Sequence, residues 1–212
     1  MHAVLSSPMK FLLLAIVLCL SLSGYAQQTA APTATPLQYV LLNDTSGRTL
    51  WPGGIEQQVS MASRFLRQVV TPGSDLGSVV NFSEEFWLEV ENSTDPDELV
   101  AKLIHQGRHA TKLYEAVVEA ARWLSKQESS DKRKIIFVFS DGDDNASQIS
   151  LRDAITTVQS LHIPVVVVAP SVVEHKKPGK DMKQLANATG GHAYFVRGDN
   201  FDVGLLKRDL AR

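Results

Sequence analysis

From Leu37 onward, runs of apolar residues alternate with apolar stripes at helical spacing. Tyr39 to Leu42 is a short apolar run that ends at Asn43-Asp44. Ile55, Val59, Ala62, Leu66 and Val69 recur every three or four positions and predict a helix, which Thr71-Pro72-Gly73 stops. Leu76 to Phe82 and Phe86 to Val90 predict two strands joined by a tight polar turn. Asp95 suits an N-cap and Pro96 a first helical position, so a short helix is expected over Asp95 to Ile104. Leu113, Val117, Ala120, Ala121 and Leu124 mark a further helix, and Leu151, Ile155, Val158 and Leu161 another. Ile135 to Phe139 and Val165 to Val168 are wholly apolar strands. Met182 to Ala188 reads as helix, Ala193 to Val196 as strand and Val203 to Leu210 as helix.

Strands that are apolar on both faces, separated by amphipathic helices, imply a mostly parallel sheet covered on both sides. The expected fold is therefore α/β: one three-layer α/β/α, doubly wound domain over residues 37–212, with one antiparallel edge strand supplied by the hairpin. The region before it differs in kind. Met1 to Lys10 carries one firm positive charge, Phe11 to Leu22 is almost wholly apolar, and Gly24-Tyr25-Ala26 puts small residues where a signal peptidase reads. That layout predicts a secretory signal peptide over 1–26. The apolar run is shorter than the roughly 20 residues a membrane span needs, so no span is expected after cleavage. Residues 27–36, rich in Ala, Thr and Pro, read as a flexible tether. Export to the periplasm or the medium follows.

Composition narrows the chemistry. Cys19 is the one cysteine and lies in the expected signal, so the mature chain has no disulfide and no thiolate metal site. Without Lys10 the mature chain has 20 basic residues against 23 acidic ones, a net charge of −3. That balance gives no reason to expect nucleic acid as a partner. Lys176, Lys177 and Lys180 read as a solvated loop. No Gly-x-Gly-x-x-Gly, phosphate loop or Gly-x-Ser-x-Gly elbow occurs.

Parallel sheets bind ligands beyond the carboxyl ends of their strands, and polar loops follow the apolar runs here. Asp44-Thr45-Ser46-Gly47-Arg48 follows the first strand, and Ser140-Asp141-Gly142-Asp143-Asp144-Asn145 follows the central one. Thr111 opens the helix at Leu113-Tyr114 and is expected as its N-cap. Brought together, these loops offer two carboxylates and two hydroxyls, all hard oxygens, which suit Mg²⁺ or Mn²⁺ and not Zn²⁺.

Asp44-x-Ser46-Gly47, Thr111-x-Leu113-Tyr114, Phe139-Ser140-Asp141-Gly142 and Thr189-Gly190-Gly191, in that order, resemble a von Willebrand factor type A domain. More narrowly, the chain resembles bacterial exported proteins of that class, common in acidobacteria. The resemblance covers Leu37 to Val196. It implies a metal-ion-dependent adhesion site in which Asp44, Ser46, Thr111 and Asp141 hold Mg²⁺ or Mn²⁺. A protein partner's Asp or Glu would complete the metal shell. It also implies binding and not catalysis, by a domain expected to be monomeric. The pattern departs from the family at Arg48, which stands where a second Ser is expected. A guanidinium has no acceptor, so Arg48 either pairs with Asp44 or Asp141 and replaces the metal, or turns outward to an acidic partner.

Other residues have plainer readings. Asp143 and Asp144 are solvated or support the site from outside, with Asp143 a candidate ligand contact beside Arg48 and Trp51. Trp51 lies in the expected ligand-facing loop, whereas Trp87 is expected to be partly buried. Thr189-Gly190-Gly191 is a turn that ends a helix. The histidines lack metal-ligand spacing, and the Asn-x-Ser/Thr triplets are read as chance. A haloacid-dehalogenase-type phosphatase with Asp44 as nucleophile is the alternative enzyme reading. It lacks the second Asp that would act as general acid, because Ser46 stands there.

Overall fold

A computed structural model of the chain describes residues 35–47, 49–103, 110–129, 131–198 and 200–210. The expected signal peptide, most of the tether, Arg48, His105 and His109 lie outside these residues. One sheet of six strands organises the domain: β1 (Leu37–Asp44), β2 (Leu76–Phe82), β3 (Phe86–Ser93), β4 (Arg133–Phe139), β5 (Val165–Pro170) and β6 (Ala193–Val196). Their order across the sheet is β3-β2-β1-β4-β5-β6. All neighbours pair parallel except β2 and β3, which form the expected antiparallel hairpin at one edge.

Among the described residues, six helices cover the sheet: α1 (Gly54–Val69), α2 (Pro96–Ala101), α3 (Leu113–Ser125), α4 (Leu151–Ser160), α5 (Lys177–Ala188) and α6 (Val203–Leu210). Alternation along each strand divides the apolar residues between two cores. Tyr39, Leu41, Phe137 and Phe139 face one side with Phe65 of α1 and Leu206 of α6. Val40, Leu42, Ile136 and Val138 face the other with residues of α3, α4 and α5. Both faces of β1 and β4 are thus buried, which explains why their sequences read as unbroken apolar runs.

Two boundaries differ from expectation. Helix α2 ends at Ala101, with Lys102 as C-cap; as expected, Asp95 caps it by accepting from Asp97 N, with Pro96 in the first turn. Helix α5 begins at Lys177, five residues before Met182, so Lys177 and Lys180 are helical and not loop. Pro178 fits because the first turn donates no intrahelical N–H. Gly179 lies so close to Val173, the last residue of a single 3₁₀ turn over Ser171–Val173, that an added Cβ would stand 2.1 Å from its carbonyl oxygen. A Pro-Gly pair that looks like a breaker is here a helix start and a packing contact.

Candidate functional site

The chain of β1 leads to its neighbours in both directions: to β2 on one side and β4 on the other. The crevice beyond the carboxyl ends of β1 and β4 is therefore the topological switch point of the sheet. Asn43 pairs with Phe139 in register, so Asp44 and Asp141 emerge next to each other there. Both are buried, 3% and 2% exposed, as are Ser46 and Thr111.

Each carboxylate is held by short bonds. Asp44 Oδ1 accepts from Ser46 N at 2.9 Å and Oδ2 from Ser140 Oγ at 2.6 Å. Asp141 Oδ1 accepts from Asp143 N at 3.0 Å, and Oδ2 accepts from Leu50 N. The Leu50 contact ties the loop after β1 to the loop after β4. Burial pushes the Asp44 carboxyl up to about 6, against the pull of its hydrogen bonds and with added repulsion from Asp141. Burial also raises Asp141, and Asp143 adds repulsion. Each ionised carboxylate has about four acceptor positions. The bonds above leave room on both for a further cationic partner.

Thr111 is brought to the same edge, but not as an N-cap. The cap position of α3 is Lys112, whose side chain makes no capping bond. The loop after β4 supplies the acceptors instead. Leu113 N donates to Asp144 Oδ1 at 3.0 Å and Tyr114 N to Ser147 Oγ at 3.2 Å. Thr111 N donates to Asn145 Oδ1 at 2.9 Å, and Thr111 O accepts from Asn145 N and Ala146 N. Asp144 and Asn145 therefore fix where Thr111 stands relative to Asp141; for Asp144 this is the supporting role expected as one of its two readings, and for Asn145 it is a role the sequence did not point to.

A buried amide network supports Asp44 from below. Gln58 Nε2 of α1 donates to Asn43 Oδ1 at 2.9 Å and to Asp44 O at 2.5 Å. Asn43 Nδ2 donates to Asn81 Oδ1 at 2.8 Å, and Asn81 Nδ2 to Lys102 O at 2.8 Å. Sequence reasoning also passed over these residues and Ser140. A polar residue interrupting a helix's apolar stripe, as Gln58 does, was the available signal.

The other singled-out residues fall as follows. Trp51 is not presented to a partner: it is 3% exposed and packs in the core with Phe65 and Leu66, because the loop after β1 folds back over α1. Asp143 is exposed at the rim. Trp87 is half-buried, as expected. Gly190 has φ +84 and ends α5, and a Cβ on Gly191 would stand 2.0 Å from Val165 O, so this segment is a structural turn. His162, His175 and His192 are exposed, and among the described residues no three His, Cys, Asp or Glu side chains gather as a metal cluster. The site's donors are two carboxylates and hydroxyls, a set that fits a hard divalent cation with water completing its shell.

The sequence profile of the von Willebrand factor type A domain matches residues 40–206. Similar solved structures include the conserved hypothetical protein BatB from Bacteroides thetaiotaomicron, at 16% identity, with 82% of this chain and 97% of that one covered and a TM-score of 0.62. An aerotolerance-related membrane protein from Bacteroides fragilis aligns at 17% identity over 82% of this chain and 98% of its own, also with a TM-score of 0.62. The manganese-loaded TRAP protein of Plasmodium vivax aligns at 14% identity over 84% and 75%, with a TM-score of 0.63. No curated protein matches the chain. At these identities the structural likeness speaks for the fold, and the profile match speaks for the family. The chain belongs to the von Willebrand factor type A domain family.

Proposed function

We propose that this chain is an exported protein-binding module. In this reading a divalent cation held by Asp44, Ser46, Thr111 and Asp141 captures an acidic group of a partner protein. The observation that carries the proposal is the pair of buried carboxylates at the switch point. Burial raises both, and repulsion from Asp141 adds to the rise at Asp44. Two desolvated acids side by side favour a cation strongly, because the ion offsets both the lost hydration and the mutual repulsion. The manganese named for the TRAP protein is consistent with this donor set. Among the described residues no helix is long and apolar enough to cross a membrane, which is compatible with export as a free domain.

The residues of the chain divide the work. Asp44 and Asp141 supply charge, and Ser46 and Thr111 supply neutral oxygens. Ser140, Leu50 N and Asp143 N hold the carboxylates in place. Asp144 and Asn145 position Thr111. A cation held there would supply Lewis acidity toward a partner's carboxylate, and the exposed rim at Asp143 would tune which partner approaches. The reading is one of capture, and it gives these residues binding roles.

Calorimetric titration of the protein with Mg²⁺ and Mn²⁺ tests this, beside Asp141→Ala and Arg48→Ser. Sub-millimolar binding by the wild type, lost in Asp141→Ala, is the expected result. Binding by Arg48→Ser alone would mean that the guanidinium has replaced the metal and that any partner is held without it. No binding by any variant would reduce these residues to structural ones.

A further inference from the structure

Among the described residues, part of one sheet face is left uncovered. On the side of Val40 and Leu42, α3 packs over β1 and β4, while α2, the helix that contacts β2 and β3, lies on the opposite face. Between α3 and the β2–β3 hairpin runs an apolar groove of about 250 Å³. Leu42, Val80, Phe86 and Leu88 form its floor, and Ala120 and Trp123 form its wall. The register pairs Leu42 with Val80 and Val80 with Leu88, so these side chains share one face. Phe86 and Leu88 are 37% and 46% exposed, unusual values for large apolar residues side by side on a strand.

Charge specifies what suits the groove. The segment Ser83 to Ser93 holds Glu84, Glu85, Glu89 and Glu91 and no Lys, Arg or His. Glu85 and Glu91 are exposed. Across the groove Glu119 is exposed on α3, with Arg122 bound to it at 2.8 Å. That pair is net neutral, so the acidity of the rim rests on Glu85 and Glu91. A second copy of the chain would set these glutamates against themselves. An added strand meets a further obstacle: Val79 stands opposite Val90 and Val80 opposite Leu88, so β3 bulges at Glu89 and interrupts the edge. A helix needs no edge hydrogen bonds, and the small side chain of Ala120 lets one lie close beside α3.

We propose that this groove docks an amphipathic helix of a partner protein, its apolar stripe flanked by lysines or arginines. The stripe would cover Phe86 and Leu88 while the flanking cations meet Glu85 and Glu91. This surface does not depend on the cation site, so the two readings stand or fall separately.

The test uses fluorescence anisotropy with a synthetic helix of about 18 residues, five turns, whose leucine stripe is flanked by lysines. Its twin carries glutamates in place of the lysines. Both are titrated with the protein in chelator, which silences any cation site. The lysine peptide is expected to bind at least about tenfold tighter than its twin, with affinity falling as salt rises. Leu88→Ser and Phe86→Ser alter exposed positions and are each expected to weaken it about tenfold or more, with circular dichroism unchanged. Glu91→Lys should weaken it and flatten the salt dependence. Equal binding of the twins, or full affinity in both serine variants, would overturn the proposal. So would dimerisation of the wild type, seen by sedimentation and abolished by Leu88→Ser, which would make a second copy the occupant.

Discussion

Burial pushes the Asp44 carboxyl up to about 6, with added repulsion from Asp141. Between the ordinary value of 3.8 and about 6, the folded protein binds more protons at this position than the unfolded chain does. Stability therefore falls as pH rises through that window, and the cost stays in place above it. Two pH units correspond to about 3 kcal/mol. Asn in place of Asp44 has no charge to desolvate. In chelator, the wild type should lose urea resistance relative to Asp44→Asn as pH is raised from 4 to 7.5. A difference that stays flat would show that the carboxylate already has a cationic partner within the protein, with Arg48 the first candidate.

Two helices solve the same end problem by different routes. Helix α4 is capped locally: Ser150 Oγ accepts from Asp153 N at 3.2 Å, and Asp153 Oδ2 accepts from Ser150 N at 3.3 Å. Helix α3 borrows its acceptors from Asp144 and Ser147, some 31 and 33 residues away. The same substitution should then have different reach. Ser150→Ala should cost about 1 kcal/mol of stability and leave cation affinity alone. Asp144→Ala should cost a similar amount and also weaken Mn²⁺ binding, because Thr111 loses its register with Asp141. Urea melts and Mn²⁺ titrations on both variants check this. Unchanged Mn²⁺ affinity in Asp144→Ala would remove the positioning role.

At the scale of the molecule, the sheet is gripped by an aromatic cluster on the α1 side. Phe65 lies 4.4 Å, centroid to centroid, from Phe137 and 5.7 Å from Phe139, and Tyr39 meets Phe137 at 5.6 Å. Phe65 and both β4 phenylalanines are fully buried. These rings join α1, which carries Gln58 under Asp44, to β4, which leads to Asp141. Phe65→Ala removes the centre of the cluster. It should lower unfolding free energy by about 3–5 kcal/mol, with an unchanged denaturant slope. A loss under 1 kcal/mol would mean that the two core layers collapse onto the gap, and that α1 is not held where this packing puts it.

Local pattern determined a good deal of this protein without help from the fold. The apolar runs at Ile135–Phe139 and Val165–Val168 announced strands buried on both faces, the 3.6-residue stripes announced their covering helices, and the hairpin announced the antiparallel edge. These signals sit within a few residues of one another, so the chain displays them directly. The order of Asp44, Ser46, Thr111 and Asp141 pointed to one family for the same reason: each lies at the edge of a periodic element. Tertiary structure alone decided how those residues are held. Trp51 became core and not contact because α1 lies under its loop. Thr111 gave up its capping role because acceptors more than thirty residues away took it over. Asn43, Gln58 and Asn81 became a buried network only when three elements met. A side chain's burial and hydrogen-bond partners depend on elements distant in sequence, and no pattern within one element records which distant element will arrive.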